Sequence, residues 1–127
     1  VRVLLFGLFV PFLLRRGPER MAKLLEPSPP PPPAADPAAA EALARRIDRW
    51  LRAGWPLVRR GCLTRGITRY WFLRRAGFEV SLRFGVGEVN GAFEGHCWLV
   101  RDGRPFLEKQ DPRPIYTEMW RVGPGCR

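Results

Sequence analysis

Residues 27–37, PSPPPPPAADP, constrain the fold more than any other stretch, because six of the chain's 14 prolines fall between Pro27 and Pro33. Successive prolines fix φ and remove N–H donors, so no helix or strand interior can run through them. The segment is expected to be an extended polyproline II spacer. A chain of 127 residues is one domain's worth of sequence. The spacer divides it into an apolar N-terminal arm over 1–26, a linker over 27–37, a folded unit over 38–122 and a flexible tail over 123–127.

Within the arm, Val3–Leu14 is apolar except for Gly7 and Pro11. A membrane span needs about 20 such residues, and this run is well short of that. Arg15 and Arg16 follow the run, whereas a secretory signal carries its cations before it. The arm therefore reads as a buried or partner-facing element, with a surface anchor as the alternative, and no transmembrane span is expected.

Beyond the linker, Asp36-Pro37 is a helix-start signal, with Asp as N-cap and Pro in the first turn. Leu43, Ile47, Trp50 and Leu51 repeat at helical spacing until Gly54 and Pro56 stop the helix. A second helix is expected from about Cys62, with Leu63, Ile67, Tyr70 and Trp71 on one stripe and Gly77 at its end. The period then changes to two. Phe78, Val80, Leu82 and Phe84 alternate with Glu79, Ser81 and Arg83, as in a half-buried strand. Asn90-Gly91 and Asp102-Gly103 are turn signals on either side of a strand over Phe93–Val100. A returning strand over Pro105–Lys109 and a last one over Ile115–Trp120 complete an α+β order of helices followed by an antiparallel sheet.

The three cysteines, Cys62, Cys97 and Cys126, are odd in number and irregularly spaced, so a reduced, cytoplasmic setting is expected rather than a disulfide framework. With no CxxC pair, no metal and no organic cofactor is expected. The chemistry then falls on Cys62 and on His96, the chain's one histidine. Cys62 opens a helix in Arg59-Arg60-Gly61-Cys62-Leu63-Thr64-Arg65. There the free N–H groups of a first turn and nearby guanidinium groups favour a thiolate. His96 lies on the predicted strand with Trp98 two residues on as a wall against water. A thiol at a helix start and an imidazole on a rigid strand are the nucleophile and base of acyl transfer.

A third group must orient the imidazole. A two-residue Asp102-Gly103 loop pairs Arg101 with Arg104 and sets Lys109 opposite His96. Asp111 then lies diagonal to His96 on the same face, and Glu108 on the other. A single bulge would reverse that parity. Both carboxylates stay open for the role.

The net charge of +10 is concentrated: residues 41–77 carry ten Arg against Glu41 and Asp48 alone. This suits an acidic peptide or protein partner better than nucleic acid. A non-catalytic basic adaptor is the alternative of a different class.

Gly61-Cys62-Leu63-Thr64-Arg65, Leu73-Arg74-Arg75-Ala76-Gly77-Phe78, Phe84-Gly85-Val86-Gly87 and the run Phe93-Glu94-Gly95-His96-Cys97-Trp98-Leu99-Val100-Arg101-Asp102-Gly103 together resemble the B2 leader peptidases of lasso-peptide biosynthesis. These are members of the transglutaminase-like cysteine protease superfamily. The resemblance covers about residues 40–120. It implies a papain/transglutaminase-like core and a thiol protease that removes the leader of a ribosomal precursor peptide. The implied partners are that leader, a small leader-recognition protein and the ATP-dependent macrolactam cyclase that closes the freed core. The family's nucleophile falls on Cys62 and its base on His96. Its acidic member, usually Asp, falls on Glu108. Cys97 stands where the family commonly has Ala. A transglutaminase-like acyl transferase would use the same residues.

Overall fold

The computed structural model describes residues 2–124 except 29, 35, 37 and 56–60. Four helices, α1 (Arg2–Leu14), α2 (Pro18–Leu25), α3 (Ala39–Ala53) and α4 (Cys62–Arg75), precede four strands. The strands are β1 (Ser81–Val89), β2 (Ala92–Arg101), β3 (Arg104–Phe106) and β4 (Thr117–Val122). They form one antiparallel sheet in the order β3-β2-β1-β4. The helices cover one face, giving the α+β architecture expected of helices packed on an antiparallel sheet.

Both hairpin turns have the geometry their sequences call for. Asn90 and Gly91 have φ of 52° and 81°, and Asp102 and Gly103 have 52° and 75°. These left-handed pairs match the twist of the flanking strands, and only small or Asx residues adopt them cheaply. The start of α3 is offset from the Asp36-Pro37 signal. Asp36 accepts the Ala38 N–H at 3.0 Å and the Ala39 N–H at 3.1 Å, so its turn leads into a helix that begins at Ala39. Pro37, the Leu57-Val58 step, Arg59, Arg60 and Cys126 lie outside the described residues.

α4 ends in a Schellman arrangement. The Phe78 N–H reaches the Leu73 carbonyl at 3.0 Å and the Gly77 N–H reaches Arg74 at 3.1 Å, with Gly77 at φ 93°. The proline segment lies against this turn. The Ala34 N–H donates to the Gly77 carbonyl at 3.1 Å, and a Cβ on Gly77 would stand 2.3 Å from the Pro32 oxygen. Gly77 is therefore fixed twice, by its backbone angle and by the chain lying on it.

The core joins the arm to the sheet. Val10, Leu13, Met21 and Leu25 are buried with Ala40, Ala44, Ile67, Tyr70, Leu73, Leu82, Cys97 and Leu99. On the other side of α1, Leu5, Phe9 and Phe12 are exposed. A helix apolar all round carries no stripe to say which side is covered. Polar contacts tie the same parts together. The Tyr70 hydroxyl donates to Glu26, and Arg75 donates to the Leu25 carbonyl at 2.9 Å while its guanidinium sits 3.2 Å from the centroid of Trp71. Between α3 and α4, buried Arg69 donates through Nε to Asp48 Oδ1 at 2.9 Å, and its second nitrogen closes the pair. Removing one partner of such a pair strands a buried charge.

Two buried acids give the fold an alkaline limit. Burial, then the Glu26 carboxylate, raises the Tyr70 hydroxyl above its ordinary 10.0, and burial raises the Cys97 thiol above its ordinary 9.0. Above those values the unfolded chain releases protons that the folded chain keeps. The stabilisation is complete below about pH 9 and is lost as pH rises, at up to about 1.4 kcal/mol per unit for each group. Thermal melting between pH 8 and 11 should show this fall, and Tyr70→Phe with Cys97→Ala should flatten it. An unchanged slope in the double variant would remove these two groups as its source.

Candidate active site

Cys62 is the first residue of α4, with Gly61 before it supplying no side-chain cap and no acid in the first turn. The first N–H groups of the helix therefore lie beside the thiol without a competing carboxylate. Cys62 is half-buried and packs against the main core.

One turn further on, Gly66 sets how close α4 comes to the sheet. A Cβ there would lie 2.8 Å from Cys97 Sγ and 3.3 Å from Leu82 Cδ1. Bare backbone at this point lets the start of α4 settle on β2 at the residue following His96. Burial, and next the charges of Cys62 and Glu108, push the Cys97 thiol upward. Cys97 itself is a core residue, 2% exposed.

Gly66→Val is expected to overpack this contact, costing about 1–3 kcal/mol and displacing the Cys62 end of α4. Cys97→Ala should return much of that loss by emptying the space beside it. Urea unfolding of the single and double variants measures both. Additive effects would mean that the two residues do not meet.

His96 stands on β2 opposite Gly85 of β1. Its Nε2 hydrogen-bonds Glu108 Oε1, and the carboxylate is the more buried of the two, with side-chain exposures of 20% for His96 and 9% for Glu108. Nδ1 remains for a second proton exchange. The ring stacks on Tyr116, with centroids 5.0 Å apart, and on Trp98 at 5.8 Å. Trp98 is the water-excluding wall expected from the strand period. Its room comes from Gly85, where a Cβ would lie 3.1 Å from the indole Cη2 and 2.7 Å from the Thr117 carbonyl oxygen.

The two candidate carboxylates part company here. β3 pairs in the expected register, Arg101 with Arg104 through Leu99 with Phe106, and then stops. Leu107 takes φ 55°, which no strand accommodates, and the chain turns so that Glu108 comes to the imidazole. Lys109 never forms the pair with His96 on which the Asp111 expectation rested. The register that favoured Asp111 is thus not formed beyond Phe106. Asp111 is exposed and grips Arg113, accepting its backbone N–H at 3.0 Å, its Nε at 2.9 Å and its Nη2 at 2.7 Å. The Arg113 hydrogen bonds hold the Asp111 carboxyl below the usual carboxylate range.

A cleft of about 300 Å³ adjoins His96 and Glu108, lined also by Arg65, Leu107, Ile115 and Tyr116. Arg65 lies on the first turn of α4, so the helix carrying Cys62 forms one wall of this cleft. The part played by Tyr116 and Gly66 had no sequence signal beyond an aromatic following a proline-broken loop and a glycine inside a helix. Among the described residues no group of three or more His, Cys, Asp or Glu side chains gathers to hold a metal ion.

A helix-start thiol and a carboxylate-held imidazole on an antiparallel sheet define an α+β domain of the papain/transglutaminase class. Residues 4–121 match the family model of the transglutaminase-like superfamily. The chain belongs to that superfamily, whose members are often cysteine peptidases or transferases. The match takes in most of the arm, the proline segment and the helices and strands that follow as far as residue 121, as the shared core does. No curated protein and no solved structure matches the chain.

Proposed function

We propose that the protein is a cysteine peptidase that removes the leader from a lasso-peptide precursor. The observation that carries this reading is the Nε2 hydrogen bond from His96 to Glu108. It fixes the ring, supports its cationic form and leaves Nδ1 to act on a thiol. In the proposed reaction His96 takes the Cys62 proton and the thiolate adds to the carbonyl carbon of the leader–core amide. The tetrahedral intermediate collapses, its C–N bond breaks, and His96 returns the proton to the departing amine. Water, losing its proton to His96, then hydrolyses the Cys62 thioester and releases the leader's carboxylate. The helix-start N–H groups suit the oxyanion of both steps.

The partners in this reading are the precursor's leader, a small leader-recognition protein and the ATP-dependent macrolactam cyclase that uses the freed core. The motif resemblance supports them, and the setting is the cytoplasm. No helix among the described residues is long and apolar enough to cross a membrane. Part of the basic region serves the fold: Arg69 is spent on Asp48, Arg74 on Glu26 and Arg75 on Leu25 and Trp71. That leaves less of it for a nucleic-acid or adaptor role.

Weighing the products of the full chain incubated with precursor peptide and recognition protein tests the reading. A freed leader ending in a carboxylate is the expected result. A leader joined to an added amine would make the protein an acyl transferase instead. An intact precursor bound in a salt-sensitive way would make it an adaptor.

A further inference from the structure

β2 runs for ten residues, but its outer neighbour β3 covers only Leu99, Val100 and Arg101. Over residues 92–98 the strand is paired with β1 alone. Among the described residues no hydrogen bond reaches the outward backbone groups of this stretch. Ala92, Phe93, Glu94 and Gly95 are exposed, Phe93 at 85%. A bare edge is a template for another strand, and natural sheets usually blunt one with Pro, Lys or a covering segment. Residues 92–98 contain neither Pro nor Lys, and Glu94 is their one carboxylate. The exposed part of the stretch, residues 92–95, runs directly into half-buried His96, and beyond it Cys97 and Trp98 are buried where α4 comes down on Cys97.

Resting on the peptidase reading, we infer that the substrate docks as an added strand on the outer edge of β2. It is hydrogen-bonded through its backbone along residues 92–96, which brings the amide to be cut beside His96 and Cys62. Main-chain bonds supply affinity in such a mode and side-chain recesses supply selection. The cleft of about 300 Å³ beside His96 offers one such recess, apolar at Leu107, Ile115 and Tyr116 and cationic at Arg65. The substrate class is then an extended, unfolded peptide segment with few sequence demands away from the scissile bond. A folded protein has no free strand to offer, which would limit cleavage to an unstructured leader–core junction.

The test uses the full chain with a mixture of acetylated hexapeptide aldehydes as the probe. The aldehyde carbon bonds to Cys62 Sγ, its carbonyl π bond opens, and the oxygen takes the thiol proton to give a reversible thiohemiacetal. Native mass spectrometry should find one adduct per chain, and the adduct should be absent from Cys62→Ala and from chains whose Cys62 has first been alkylated. Hydrogen exchange should slow by roughly tenfold or more at outward amides between Phe93 and His96. Aldehydes N-methylated at alternate residues should need about tenfold higher concentration, the loss of one or two hydrogen bonds. An adduct with unchanged exchange and no N-methyl effect would overturn the strand while leaving the peptidase reading intact. Protection that rises with protein concentration without probe would give the edge to a second copy instead, and would also overturn it. The absence of any adduct on Cys62 would remove the peptidase reading and the strand with it.

Discussion

Cys62→Ala is expected to abolish leader removal, lowering turnover by about a thousandfold or more, because the proposed covalent intermediate forms on its thiol. Cys97 cannot substitute: it is buried, and burial holds its thiol protonated. Ala is small and tolerated in a first helical turn, so the variant should melt within a few degrees of the parent. Mass spectrometry of a precursor digest gives the rate, and circular dichroism gives the fold. Processing by a folded Cys62→Ala chain within tenfold of the parent would rule out thiol chemistry.

The second large effect separates the two carboxylates. Glu108→Ala should lower kcat by about 10⁴, as when the acid of a catalytic triad is lost, because the imidazole loses both its orientation and its charge partner. Glu108→Gln should fall between that variant and the parent, since an amide can hold the ring in place but cannot balance its charge. Asp111→Asn should leave kcat within about twofold, because its carboxylate is exposed and engaged with Arg113. The reverse order of sensitivities would return the orienting role to Asp111 and imply that the chain after Leu107 rearranges when substrate binds.

The contrast between these two residues also shows how far local sequence reaches. Asn90-Gly91 and Asp102-Gly103 announce their turns because few residue types accept two successive positive φ angles. The hairpin register as far as Phe106 is set by those turns. Gly54, Cys62 and Gly77 mark the helix limits for similar local reasons. Past Phe106 the chain obeys no such local rule. Leu107 at positive φ is imposed by tertiary structure on a residue with no preference for it, so strand parity pointed to Asp111 while the motif resemblance pointed to Glu108. The arm was equally opaque. Apolar on every side, α1 gave no stripe to show that Val10 and Leu13 are covered while Phe9 and Phe12 are not. The contacts of Tyr70 with Glu26 and of Arg69 with Asp48 join segments far apart in sequence, beyond any periodicity.

The pairing of the helix-start thiol with the strand imidazole is tested most directly by the rate at which iodoacetamide alkylates Cys62 at pH 7. This rate is read by peptide mapping in the parent, His96→Ala and Glu108→Ala chains. If Nδ1 of His96 takes the thiol proton, Cys62 in the parent should react more than about tenfold faster than in His96→Ala, with Glu108→Ala between them. Equal rates in all three folded chains would mean that the two groups do not act on one another, and would contradict the account.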